Sequence, residues 1–200
     1  MAMLNKLIGH LRFNKAKKAT SQVISPDVIP LSRFHFSREA ISHAALHVAK
    51  VLQDKGFKAF IVGGAVRDLI LSEQPKDFDI VTDAFPEQVK RLFKRAQKIG
   101  RRFPIVRVYF ERELVEVSTF RQKSATFNEQ GRIIRDNCYG TIDMDAARRD
   151  FTCNALYLDP IAGNVHCYHH ALNHLKDKKL ILIGDPEVRF KEDPIRILRG

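Results

Sequence analysis

The sequence predicts an α+β domain, a mixed sheet of about five strands flanked by helices. Three observations carry this. Residues 58–62 form a short apolar run that ends at Gly63-Gly64 and leads into a helical pattern, a strand–turn–helix unit. Residues 105–110 and 114–120 read as two strands around Glu111-Arg112-Glu113, a hairpin. Residues 37–56 and 86–98 carry apolar side chains at helical spacing.

Taken in order, residues 1–36 read as a basic, flexible arm. Lys6, Arg12, Lys15, Lys17, Lys18 and Arg33 are opposed there by Asp27 alone, and Pro26 and Pro30 interrupt any helix. Such an arm either tracks nucleic-acid phosphates or is a leader with no site of its own. Ser37 is the expected N-cap of a helix whose stripe is Ile41, Ala44, Ala45, Val48, Val51 and Leu52, closed by Gly56. His43 and His47 share a face of it, and with no third ligand nearby they read as solvated histidines.

The strand–turn–helix unit follows. Gly63 and Gly64 lack a Cβ, so a bulky anion can approach the backbone, and Arg67 lies one turn into the next helix. Asp77 and Asp79 stand two apart. On a strand both carboxylates share one face while Phe78 and Ile80 turn into the core. Two hard anionic oxygen donors side by side suit Mg²⁺. A phosphate cradle beside a carboxylate pair is what phosphoryl or nucleotidyl transfer with two metals requires. Taken singly, each part is also an ordinary turn or an ordinary acidic loop.

Pro86 opens a helix with Val89, Leu92, Phe93 and Ala96 inside and Lys90, Arg91, Lys94, Arg95 and Lys98 outside, a solvated face that can also steer RNA. Glu116 is placed mid-strand, either as a supporting carboxylate for the aspartates or as a surface acid. Residues 121–140 are polar, with breakers at Gly131, Asn137 and Gly140. They read as a mobile loop near the site, with Arg135-Asp136-Asn137 as its ordering element. Residues 147–156 concentrate Arg148, Arg149, Asp150, Thr152 and Asn154. On a helix Asp150 and Asn154 align, and such a set can hold a ribose and a triphosphate, or tie down its own helix by ion pairs. The histidines at 166–170 and 174 fit no standard zinc module and read as a strand leading into a helix or turn. Residues 180–184 are a last short apolar strand. After it, Asp193, Arg196 and Arg199 recur every three residues behind Pro194.

These motifs carry a resemblance. Gly63-Gly64-Ala65-Val66-Arg67-Asp68 with Asp77-Phe78-Asp79-Ile80-Val81-Thr82 is similar to the head domain of the polymerase-beta-like nucleotidyltransferases. More narrowly, it resembles the bacterial class that holds poly(A) polymerases and CCA-adding tRNA nucleotidyltransferases. Residues 147–156 match that class's R-R-D-F-T-x-N-A motif, and Glu192-Asp193-Pro194-Ile195-Arg196-Ile197-Leu198-Arg199 its E-D-x-x-R-x-L-R segment. The intervening Pro75-Lys76-Asp77-Phe78-Asp79, Pro86-Glu87-Gln88-Val89, Gly100-Arg101-Arg102-Phe103, Glu116-Val117-Ser118-Thr119-Phe120-Arg121 and Arg135-Asp136-Asn137 look more like the poly(A) polymerases. Two positions depart from the pattern: Phe85 stands where a capping Thr is usual, and the histidine-rich 166–170 replaces a glycine-containing stretch.

The resemblance implies a catalytic head over 37–190, with 191–200 as the start of a helical neck that the chain cuts short. It implies template-independent addition of AMP from ATP to an RNA 3′ end, with release of pyrophosphate. Asp77 and Asp79 are then the ligands of two Mg²⁺ ions, and Asp150 is the third acid. Gly63, Gly64, Arg67 and Arg149 hold the triphosphate, and Asn154, Asp193, Arg196 and Arg199 contact sugar or base. CCA addition to tRNA shares every motif, and a non-catalytic basic RNA-binding module is the alternative of another class.

Composition bounds these readings. The 200 residues allow one domain and a fragment of another, and Lys+Arg 34 against Asp+Glu 23 gives +11, which favours a polyanionic partner such as RNA. Cys138, Cys153 and Cys167 are odd in number and lack CxxC spacing, so they read as free thiols in a reducing compartment. No apolar run has bilayer-spanning length, and the N-terminus lacks an h-region and a cleavage site. The expected location is the cytoplasm.

Overall fold

The structure, a computed structural model, describes residues 25–100, 104–122, 126–127, 133–135 and 139–200. An eight-stranded sheet, not one of five, runs through these residues. Its strands are β1 (Asp27–Pro30), β2 (Ala59–Val62), β3 (Asp79–Thr82), β4 (Ala96–Ile99), β5 (Ile105–Phe110), β6 (Glu113–Thr119), β9 (Leu156–Asp159) and β10 (Asn164–Cys167). They lie in the order β1-β10-β9-β2-β3-β6-β5-β4, and β3 with β6 is the parallel pair. β7 (Thr126–Phe127) and β8 (Ile133–Arg135) make a separate ribbon. The helices are α1 (His43–Asp54), α2 (Gly64–Ile70), α3 (Pro86–Leu92), α4 (Ile142–Arg148), α5 (Ala171–Lys176), α6 (Pro186–Glu192) and α7 (Arg196–Arg199).

The extra strands lie where the sequence pattern is weakest. β1 falls inside the expected arm. It is an edge strand, mostly exposed, closed by Pro30 where no partner needs its N–H. The arm over 1–36 is therefore shortened by the sheet, and residues 1–24 lie outside the described residues. β4 takes Ala96 to Ile99 from the expected helix, because α3 stops at Leu92 and Phe93 is extended. β9 pairs with β10, whose His166 and Cys167 fall where a strand leading into a helix or turn is expected, whereas β9 begins at the end of the stretch considered as a helix. Residues 180–184 are not a strand of the sheet; they are tied on by an isolated bridge, Phe151 to Leu182, and Ile183 is buried in the second core. Of the expected loop, β7, β8 and the residues next to Phe120 are described. Asp136, Asn137 and Gly131 lie outside the described residues, as do Cys138 and residues 101–103.

α1 begins later than expected. Ser37 precedes a short 3-10 turn, and Ser42 is the N-cap, its hydroxyl accepting from the Ala45 N–H at 3.1 Å. Its face of Ala44, Ala45, Val48, Ala49 and Leu52 packs with α2, α3 and one side of the sheet into the main core. His43 and His47 are not merely solvated: both lie against Phe110, His47 stacked at 4.1 Å between ring centres. The opposite side of the sheet carries Phe60, Val62, Val81, Phe120 and Tyr157, covered in part by Ala146 of α4 and by Tyr168. The site lies on this second side.

Candidate active site

β2 is fully buried and ends at Gly63, whose φ of +73° suits glycine alone at low cost. The Gly63 N–H donates to Leu156 O at 3.3 Å, and its carbonyl accepts from the Arg67 N–H at 3.1 Å. The turn is thus tied to β9 on one side and to α2 on the other. A Cβ at Gly63 would stand 3.7 Å from Arg149 Nη1, and one at Gly64 would stand 3.5 Å from Arg67 Nη2. Two guanidinium groups therefore flank a backbone turn that has no side chain between them.

The carboxylates stand beside that turn because of strand register. Asp79 opens β3, opposite Val62 on one neighbour and Glu116 on the other. Val62 is opposite Tyr157, and Glu116 opposite Arg107. Paired residues send their side chains to the same face, on strands about 4.8 Å apart. Arg107, Glu116, Asp79, Val62 and Tyr157 thus form one row, at the end of the sheet where β2 enters the Gly-Gly turn. Phe78 and Ile80 turn into the main core, as the alternation required.

Asp79 reaches solvent as a residue, yet protein crowds its carboxyl. Burial, the charge of Asp77 and then that of Glu116 push it up to about 6, and Arg149 alone pulls it down. Glu116 is itself held by Arg107 Nε at 2.9 Å. An acid pair that repels itself is a fitting seat for a hard dication, which would return both groups to full charge. Mg²⁺ needs few protein ligands because it keeps its waters. Two carboxylates are enough, although no group of three His, Cys, Asp or Glu among the described residues forms a metal cage.

The Arg-Arg-Asp segment is not helical as expected. α4 ends at Arg148, Arg149 is its extended C-cap, and Thr152–Asn154 forms a 3-10 turn. Asn154 still donates to Asp150, Nδ2 to Oδ1 at 3.0 Å, across that turn rather than along a helix. Asp150 also accepts the Phe151 N–H at 2.8 Å and Arg199 Nη1 at 3.0 Å. Burial raises its pKa, but these donors outweigh it and the net shift is downward. Arg67 reaches the same group, Nη1 to Asn154 Oδ1 at 3.3 Å, while its Nη2 pairs with Asp68 at 2.7 Å. Asp193 completes the chain on Arg199 Nη2 at 2.9 Å, and Arg196 donates to Arg189 O at 2.6 Å and pairs with Glu192.

The expected site residues therefore fall into two groups. Asp79 and Glu116 stand in the row, Gly63, Gly64 and Arg149 line the turn, and Asp77, which precedes β3 rather than lying on it as expected, acts on Asp79 through its charge. Asp150, Asn154, Asp193, Arg196 and Arg199 belong to a polar network that joins the turn through Arg67. Two histidines of the 166–174 stretch have separate partners: His174 Nδ1 lies 3.0 Å from Thr152 Oγ1, and His166 packs on Phe60.

Three residues had not been singled out. Asp145 is fully buried, Tyr157 sits beneath Arg149, and Arg189 is buried under the Arg148–Arg149 backbone. The i, i+4 spacing of Asp145 and Arg149 was visible in the sequence. Nothing marked Tyr157 or Arg189.

Comparison with known proteins adds the following. Residues 59–181 match the family model described as the poly A polymerase head domain. The chain is 44% identical over 196 residues to Poly(A) polymerase I of Haemophilus influenzae, covering 93% of this chain and 43% of that protein. It is 44% identical over 182 residues to Poly(A) polymerase I of Escherichia coli O6:H1 (86% and 39% covered). It is 39% identical over 156 residues to a CCA-adding enzyme of Lactobacillus helveticus (78% and 39% covered). Among solved structures, the Bacillus stearothermophilus CCA-adding enzyme in complex with CTP superposes with a TM-score of 0.65 at 31% identity, covering 78% of this chain and 36% of that one. The chain thus spans roughly two-fifths of the length of these relatives.

Proposed function

The chain belongs to the poly A polymerase head-domain family, and from that premise we propose that it adds AMP from ATP to RNA 3′ ends without a template. The 3′-oxygen would attack the α-phosphorus, the bond from that phosphorus to the β-phosphate would break, and pyrophosphate would leave with the displaced charge. One observation carries the reading: Arg149 turns Nη1 toward Gly63 while its charge acts on Asp79. A triphosphate laid on the Gly-Gly turn therefore lies within reach of both the cation and the acids.

Asp77 and Asp79 would hold two Mg²⁺ ions, which when bound supply the charge that acidifies the 3′-hydroxyl and neutralises the leaving pyrophosphate. Glu116 would support them from the next strand. Gly63 and Gly64 admit phosphate oxygens to the backbone, and Arg67 and Arg149 flank them with cations. Asp150 is the third acid of this proposal and acts at the ribose end, beside Asn154. Asp193, Arg196 and Arg199 would face sugar or base through the network that Asp150 anchors.

Asp79→Ala should lower Mg²⁺-dependent primer extension by about a thousandfold or more with the thermal midpoint retained. Extension at the wild-type rate would refute the assignment. CCA addition is the second reading, favoured by the solved neighbour that holds CTP. Poly(A) synthesis is favoured by the higher identity and longer coverage of the poly(A) polymerases. An RNA primer offered ATP or CTP separately decides between them: an adenylate ladder supports the first, and a short CTP-requiring product the second. RNA binding without Mg²⁺-dependent nucleotide binding would point to a non-catalytic module.

A further inference from the structure

We infer that Asp145 and Arg189 are positioning residues, which clamp Arg149 so that its Nη1 is left facing Gly63; this rests on the proposed role of the Gly-Gly turn as a triphosphate seat. Asp145 is fully buried, and its carboxylate accepts from every side. Oδ1 takes Arg148 Nε at 2.9 Å, Arg148 Nη2 at 2.6 Å and the Arg121 N–H at 3.2 Å. Oδ2 takes Arg149 Nη2 at 2.9 Å, Arg149 Nε at 3.2 Å and the Tyr157 hydroxyl at 2.8 Å. Burial works to raise its pKa, but Arg149 and Arg148 outweigh it and hold it down, so the group is an anion.

Tyr157 closes the ring. It donates to Asp145, accepts from Arg149 Nε at 2.7 Å, and its ring lies 5.0 Å below the guanidinium carbon. Two of the three Arg149 nitrogens are thereby engaged, and the third stands 3.7 Å from the Cβ position of Gly63.

Arg189 holds the same residue from the backbone side. Its Nη2 donates to the Arg148 carbonyl and, at 2.6 Å, to the Arg149 carbonyl, where α4 ends. A helix end leaves carbonyls without partners, and a buried cation there satisfies them. Its Nη1 is in turn paired with Glu192 at 3.0 Å.

A buried ion cluster is a poor way to gain stability, since apolar replacements often do as well. Its use here is geometric. An arginine free in solvent samples many rotamers, and freezing them on binding weakens a ligand. Asp145, Tyr157 and Arg189 freeze Arg149 beforehand with one nitrogen offered.

The test is equilibrium binding of Mg²⁺-ATP and, separately, of AMP to the full chain. Asp145→Asn keeps the shape and removes the charge. It should weaken Mg²⁺-ATP about tenfold or more while AMP changes by less than about twofold, because Arg149 serves phosphates absent from AMP. If Asp145→Asn does not fold, Tyr157→Phe keeps the ring and removes the bridging hydroxyl. It should weaken ATP about threefold, again sparing AMP. Equal losses for ATP and AMP would mean general loosening and would overturn the inference, as would unchanged ATP binding in either folded variant. Wild-type protein that binds no Mg²⁺-ATP would overturn the proposed function itself, and this inference with it.

Discussion

Asp79 shows how one residue reads out its neighbours. Its carboxyl stands at about 6, against 3.8 for an ordinary aspartate, because burial and the charges of Asp77 and Glu116 disfavour the anion. A carboxyl whose folded pKa lies above its unfolded one binds a proton more readily in the folded state. Folding is then favoured as pH falls through 6 toward 3.8 and disfavoured above 6. Metal-free wild type should therefore gain thermal midpoint between pH 7 and pH 5, relative to Asp79→Asn, which has nothing there to titrate. Adding Mg²⁺ at neutral pH should raise the wild-type midpoint and leave Asp79→Asn nearly unmoved. Parallel pH curves for the two proteins would mean that the crowding at Asp79 is not felt.

At the scale of elements, the turn before α5 is strained. His169 and His170 both adopt left-handed backbone, φ 54° and 56°, and His170 caps α5 without a side-chain hydrogen bond. L-residues lose about 1–2 kcal/mol there, and glycine avoids that loss. His170 is exposed, so little packing goes with its side chain. His170→Gly should stabilise the protein by about 1 kcal/mol, seen as a thermal midpoint higher by roughly 2–4 °C. A lower midpoint would show that the imidazole contributes more than the backbone loses. This turn also explains the departure noted in the sequence: histidines occupy a bend that needs positive φ, which is glycine's usual place.

Over the whole molecule, charge and register act together. A net +11 should make RNA binding fall steeply with salt. If about five phosphates are neutralised, affinity should drop about a hundredfold between 50 and 200 mM salt, measured by filter binding with a single-stranded RNA. A flat salt response would remove the case for a polyanionic partner. Among the described residues no helix is long and apolar enough to cross a membrane. Part of the candidate site's geometry was legible beforehand because its pieces are local. Gly63-Gly64 and Asp79 lie within one strand–turn–helix–strand run, where period-two alternation sets Asp79 on the face opposite Ile80, while Asp77 precedes the strand. The central strands β2, β3, β5 and β6 were legible for the same reason. β1, β4 and β9 were not, and β10 was legible only at its end, since short strands with few β-branched residues carry little periodic signal, and long-range pairing recruits them.

The sequence alone determined the residue types, the glycine turn, the spacing of the two aspartates and the excess of positive charge, because these depend on near neighbours along the chain. The tertiary structure decided that Glu116, Asp79, Val62 and Tyr157 stand in one row, and that Asp145 and Arg189 grip Arg149 from two sides. Asp145 and Arg149 are close in sequence, but the other contacts join residues far apart along the chain, and sheet register and close packing set which of them meet.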